Sequence, residues 1–193
     1  MKLPEEPIPS VEFTCQPDKQ ALKMLEAALD AIPLHGTWRA WSSWSYLEYF
    51  LDWLLFAFGH TNLLPPEPEA GAYDRLYQVF CLETLIAWPH DYLGDLMAEN
   101  QHGRHLGFYP TPHHLVELMV ALNFTGGQDE RDARTRTVCD PCVGTGRMLL
   151  HSSNHSVCLY GQDVNPICIK ATLVNGYLYA PWLAKPFSWL IQK

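Results

Sequence analysis

Thr137-Val138-Cys139-Asp140-Pro141-Cys142-Val143-Gly144-Thr145-Gly146-Arg147-Met148-Leu149-Leu150 is the stretch that decides the fold. It reads as a short β-branched strand, a tight glycine turn and the first turn of a helix. Glycines at 144 and 146 open backbone conformations closed to other residues and let the chain approach a ligand without a Cβ in the way. The helix that follows turns unpaired N–H groups and a positive dipole end toward that ligand, a ready seat for a phosphate or carboxylate. The third glycine of a dinucleotide fingerprint is missing, and Leu149 stands in its place.

A second buried strand follows in Val157-Cys158-Leu159-Tyr160-Gly161-Gln162-Asp163, and its acid lies 19 positions beyond Gly144. An acid about 20 residues past a glycine turn is where nucleotide-binding α/β units hold ribose hydroxyls. A carboxylate suits that task because it accepts hydrogen bonds from both hydroxyls of a vicinal diol. Asn165-Pro166 then opens a helix expected over 167–178, where an early proline sacrifices no needed N–H.

Upstream lies Gly107-Phe108-Tyr109-Pro110-Thr111-Pro112-His113-His114, running into Leu115-Val116-Glu117-Leu118. The order Gly-Phe-Tyr-x-Thr-Pro, Asp-Pro-x-x-Gly-x-Gly, Gly-Gln-Asp-x-Asn-Pro resembles the N6-adenine DNA methylase family, in particular the modification subunits of type I restriction systems. Asp91-Tyr92-Leu93-Gly94-Asp95 is similar to the Asp-x-Leu-Gly segment that those subunits carry before the Thr-Pro motif. The likeness covers about residues 85–180.

The resemblance implies S-adenosylmethionine as cofactor. Phe108, Tyr109, Thr111 and Pro112 match the motif that closes over its methionine end. Asp140, Pro141, Cys142, Gly144 and Gly146 match the loop that cradles it; Asp163 matches the acid on its ribose, and Asn165 belongs to the same motif. Cys142-Val143-Gly144-Thr145-Gly146 stands where the family usually has Ala-Cys-Gly-Ser-Gly. Arg147 replaces a common glycine, which would crowd or recharge the pocket rim.

Family members also carry Asn-Pro-Pro-Tyr or Asn-Pro-Pro-Phe at the end of a later strand. The exocyclic amine of adenine is a poor nucleophile, because its lone pair is delocalised into the ring. The Asn oxygen and a proline carbonyl accept its hydrogens, while the aromatic ring stacks on the flipped base. No Asn-Pro-Pro or Asp-Pro-Pro occurs in the 193 residues. The nearest echo, Ala184-Lys185-Pro186-Phe187, offers no acceptor at 184 and brings a positive charge toward an amine about to become cationic. We therefore assign no catalytic residue and expect no adenine methylation by this polypeptide alone.

Composition agrees with an incomplete unit. Net charge of −8 argues against a free-standing DNA binder, so DNA enters only through a partner. Arg131, Arg134 and Arg136 alternate with acids and read as a solvated loop. The start, Met1-Lys2-Leu3-Pro4-Glu5-Glu6, is no signal peptide, so a cytoplasmic location with reduced thiols is expected for the six cysteines. Cys139 and Cys142 have a zinc-type C-x-x-C spacing, but Cys139 falls in an expected buried strand and Cys158 and Cys168 make no second pair. They read as small buried hydrophobes.

Residues 1–100 form an expected helical N-terminal region, and 101–193 a partial methyltransferase region. Helices are expected over 17–32, 42–58, 72–87 and 91–99, with Leu64-Pro65-Pro66-Glu67-Pro68-Glu69 as a stiff linker. The run Trp41, Trp44, Tyr46, Tyr49, Phe50, Trp53, Phe56, Phe58 is too short and charged for a membrane span. It has only Arg39 nearby as base-stacking would require, so it reads as core or protein interface. A surface position at a helix start explains His113 and His114 as well as a ligand role does, His102 and His105 have no carboxylate at metal spacing, and no metal is assigned.

The expected class is therefore α/β, an incomplete Rossmann-like S-adenosylmethionine-dependent methyltransferase fold with a helical N-terminal part. Two parallel strands, 137–140 and 158–163, with the tail 186–191 as a possible third, fall short of the roughly five or six usual in a sheet. Exposed strand edges invite a homo-oligomer or a protein partner. Three readings stand: a cofactor-binding protein that acts through association, the cofactor half of a partner-completed methyltransferase, and an interaction module without cofactor.

Overall fold

The computed structural model describes residues 8–34, 43–99, 108–125 and 134–184. The expectations for Arg39, Trp41, His102, His105, Arg131 and the tail 186–191 fall outside these residues, as does the side chain of Trp44. Helix α1 (Lys19–Asp30) starts where Asp18 caps it, the carboxylate accepting N–H bonds from Gln20 and Ala21 at 2.9 Å each. Its face of Ala21, Leu25, Ala28 and Leu29 is buried. Helix α2 (Ser43–Ala57) is apolar nearly all round and lies in the middle of the core, with Leu47, Phe50, Leu51 and Leu54 sealed from solvent.

The helix expected over 72–87 is in fact two, α3 (Ala72–Val79) and α4 (Leu82–Ile86), separated by extended Phe80 and Cys81. No glycine or proline marks the break. The extended backbone carries the Phe80 ring into edge contacts with Phe50 at 5.9 Å and Trp53 at 5.5 Å. Tertiary packing overrides local helix propensity here. Of the aromatic run, Tyr49, Phe50 and Trp53 are thus core. The proline-rich stretch is tied in: Glu67 accepts the N–H groups of Gly71 and Tyr73, and Glu69 accepts the Tyr46 hydroxyl.

After α5 (Tyr92–Glu99) and α6 (His113–Phe124) come β1 (Val138–Asp140), α7 (Arg147–Ser152), β2 (Leu159–Gly161), α8 (Pro166–Tyr179) and α9 (Pro181–Ala184). The strands pair in parallel, Val138 opposite Leu159 and Asp140 opposite Gly161, with α7 in the crossover. Cys139 and Cys142 are exposed, which corrects the reading of both as buried; Cys158 is half-buried and Cys168 buried. The reason is the sheet. Cys139 pairs with Tyr160, itself 60% exposed, on a face that no described element covers. Leu149 packs where a dinucleotide fingerprint has its third glycine, and Gly161 supplies the missing room. A Cβ on Gly161 would come within 2.8 Å of Val143 Cγ2 and 3.0 Å of Leu149 Cδ1.

One apolar cluster runs from Ala21 through α2 to Tyr179, so α2 and α8 pack together. At the edge of that contact Lys170 on α8 donates to Glu48 and Asp52 on α2, 2.8 Å to each. Burial pulls its amine down, but the bonds to Asp52 and Glu48 outweigh this and raise it above the ordinary lysine range. The carboxylates are substantially exposed, so solvent screens the fork. Lys170→Met is expected to lower unfolding free energy by about 0.5–1 kcal/mol in urea denaturation. That loss shrinks in molar salt.

Candidate functional site

The site begins where β1 ends. Asp140 Oδ1 accepts the Cys142 N–H at 3.1 Å, closing a tight turn. Gly144 follows at φ +56° and Gly146 at φ +87°, both left-handed. A Cβ on Gly144 would stand 3.1 Å from the Phe108 ring, so the absence of a side chain brings this backbone under the Thr-Pro segment. Gly146 caps α7, and Thr172 of α8 donates to the Gly144 carbonyl at 2.8 Å, fixing the loop from behind. At the end of β2, Asp163 Oδ2 accepts the Gly144 N–H at 2.9 Å and Oδ1 accepts the Asn165 N–H at 2.8 Å. Each oxygen keeps a second lone pair for an outside donor.

These pieces enclose a cavity of about 350 Å³, within the range of small-molecule sites. Phe108, Tyr109 and Thr111 form one wall; Asp140, Cys142 and Gly144 form the loop side; Asp163 stands at the strand end, with Arg147 and Cys168 also lining it. Seven of the residues singled out from the sequence thus meet in one place. Four do not line it. Pro112 is the residue just before α6, Pro141 is exposed on the turn, Gly146 caps α7, and Asn165 is buried, its Oδ1 accepting the Ile167 N–H at 3.0 Å to cap α8.

Residues 90–180 match the N-6 DNA Methylase family model. The match takes in every residue lining the cavity, whereas α1 to α4 precede it. A helix-rich chain with two parallel strands is consistent with an incomplete α/β methyltransferase fold. No curated protein and no solved structure matches the chain. No helix among the described residues is long and apolar enough to cross a membrane.

Behind the cavity, this methylase-like segment is held by a buried polar network that sequence reading missed. Asp91, 1% exposed, accepts four hydrogen bonds. Gly94 N–H at 2.9 Å and Asn175 Nδ2 at 2.8 Å reach Oδ1, while Thr145 Oγ1 at 2.6 Å and Arg147 Nε at 2.9 Å reach Oδ2. That fills a carboxylate's capacity. Arg147 continues to Asp95 Oδ1 at 2.6 Å and to the Thr111 carbonyl at 3.0 Å. The expectation that Arg147 recharges the rim is corrected: the guanidinium is buried, its charge is matched by Asp91 and Asp95, and it joins the glycine loop to the Thr-Pro motif.

His113 is also corrected. It is buried, not on the surface, with its ring stacked 4.3 Å from that of His90. Neither ring nitrogen has a hydrogen-bond partner among the described residues. Burial, and then the Arg147 charge, push its imidazole down to about 4. His114 is exposed, as expected. For Asp95, burial pushes the carboxyl up, but the bond and charge of His90 and the Arg147 guanidinium outweigh it and hold it below the usual carboxylate range.

Proposed function

We propose that residues 90–180 form an S-adenosylmethionine-binding domain of the adenine-methylase kind, and that these 193 residues alone do not methylate adenine. One observation carries the reading: Asp163 at the strand end is hydrogen-bonded to Gly144 in the loop, with Phe108 over that glycine, so three separated motifs share one cavity. The residues present fit the cofactor. Asp163 has lone pairs left for ribose hydroxyls, side-chain-free Gly144 leaves space a Cβ would fill, and Phe108 and Tyr109 offer ring faces to a sulfonium cation. S-adenosylhomocysteine, lacking only the methyl group, would use the same contacts. Bound cofactor supplies an activated methyl group. The chain offers no Asn-Pro-Pro-aromatic motif to localise the lone pair of an adenine amine, and its charge of −8 repels a DNA backbone. DNA would therefore be met through a partner.

A second reading, the cofactor half of a partner-completed DNA adenine methyltransferase, is favoured by the surface of α6. Leu115, Leu118, Met119 and Leu122, at helical i, i+3, i+4, i+7 spacing, are 43–67% exposed. The open sheet face at Tyr160 adds to it. A second copy or another protein would cover this surface.

Methyl-labelled S-adenosylmethionine incubated with the chain and adenine-containing DNA tests both readings. Label held non-covalently by protein, with none in DNA, is the expected result. Label entering DNA with the chain alone contradicts the first reading, and label entering only after a second protein is added selects the second.

A further inference from the structure

We infer that His90, Asp95 and His113 form a site for a divalent transition-metal ion of the zinc class, pinning the start of α5 to the start of α6. His90 is fully buried, and its Nδ1 donates to the Thr14 carbonyl at 2.7 Å. A carbonyl only accepts, so that nitrogen carries a hydrogen and the Nε2 lone pair is the one left to face outward. It faces Asp95 Oδ2 at 2.7 Å. Two electron-pair donors so close need a cation between them, either a second proton or a metal.

A proton accounts for that pair but leaves His113 unexplained. This ring is 7% exposed, lies against His90, and has two nitrogens without a partner among the described residues. Buried polar atoms seldom go unpaired. A metal serves the His90–Asp95 pair and gives one nitrogen of His113 a partner as well. One ligand atom from each residue lies within 4.8 Å of the others, and a tetrahedral ion needs edges of about 3.3 Å, so the 2.7 Å edge between His90 and Asp95 widens a little while the longer ones close. The Asp95 side chain, 24% exposed, is the least enclosed of the three, and its open side gives the ion a path and a water the fourth position.

The donor set of two imidazoles and one carboxylate suits zinc and its neighbours better than calcium or magnesium. The outer contacts also fit, with a backbone carbonyl orienting His90 and Arg147 holding the other Asp95 oxygen at 2.6 Å. His113 follows Thr111 of the cavity wall by two residues, so an ion here would stiffen that wall. The inference does not depend on the cofactor reading.

Calorimetric titration of the metal-stripped full chain with Zn²⁺ tests it. One site per chain is expected, weakened more than tenfold in His113→Leu and unchanged in Cys139→Ser/Cys142→Ser. Leucine removes two nitrogens that have no partner among the described residues, and circular dichroism checks that the variant is folded. Cobalt(II) bound to the unaltered chain gives the independent readout, a nitrogen and oxygen ligand-field spectrum without a thiolate charge-transfer band. Absence of binding, equal affinity in His113→Leu, or a thiolate band with loss in the cysteine variant overturns the inference.

Discussion

Replacing Arg147 by methionine is expected to lower the free energy of unfolding by about 3–5 kcal/mol, the loss typical when one partner of a buried ion pair is removed. Methionine fills much of the space, so the penalty is electrostatic. Asp91, 1% exposed, would keep Gly94, Thr145 and Asn175 as donors but lose the cationic Arg147. Asp95 would lose the guanidinium on Oδ1. Native domains have only about 5–15 kcal/mol in hand, so a large share of stability is at stake. Urea denaturation followed by circular dichroism measures it, and a change below about 1 kcal/mol would show that the pair is not desolvated. The Thr111 carbonyl loses its donor too, so the Thr-Pro wall should loosen along with the core.

Gly94→Ala is the second large effect, and its sign is diagnostic. At an ordinary helical site, alanine for glycine stabilises by about 1 kcal/mol. Here a Cβ would lie 2.1 Å from Asp91 Oδ2 and 2.8 Å from Arg147 Nη2, overlaps that no small shift relieves. The carboxylate would have to leave the position where it meets Thr145, Arg147 and Asn175. Overpacking alone costs about 1–3 kcal/mol, and the broken network adds to it, so a loss of about 3 kcal/mol or more is expected. A stabilised Gly94→Ala variant in the same urea assay would contradict the placement of Asp91 beneath α5. The glycine of the Asp-x-Leu-Gly segment is thus explained by packing against a charge, not by a turn.

What the sequence revealed was local. Apolar spacing located α1, the aromatic run α2, the β-branched start at Thr137-Val138 located β1, the run from Val157 located β2, and Asn165-Pro166 marked the start of α8. The glycine loop, the Thr-Pro segment and Asp163 were each legible because each carries its own backbone or side-chain signature, and all three line one cavity. The unread features depend on partners distant in the chain. Asp91 and Arg147 are 56 positions apart, and nothing near either residue announces the other. The break at Phe80 needs the rings of α2, and the burial of His113 needs the His90 ring. Cys139 was misread as buried because a strand pattern does not reveal which sheet face stays uncovered.

Calorimetric titration of S-adenosylmethionine into the purified chain, beside its Asp163→Asn variant, bears most directly on the cavity's role. The amide keeps the shape at the end of β2 and an oxygen for the Gly144 N–H, but puts a donor where the carboxylate accepts the Asn165 N–H and would accept a ribose hydroxyl. Saturable binding of one cofactor per chain, weakened at least tenfold in Asp163→Asn, about 1.4 kcal/mol, is the result expected. No heat from the unaltered chain, or equal affinity in both proteins, would contradict it.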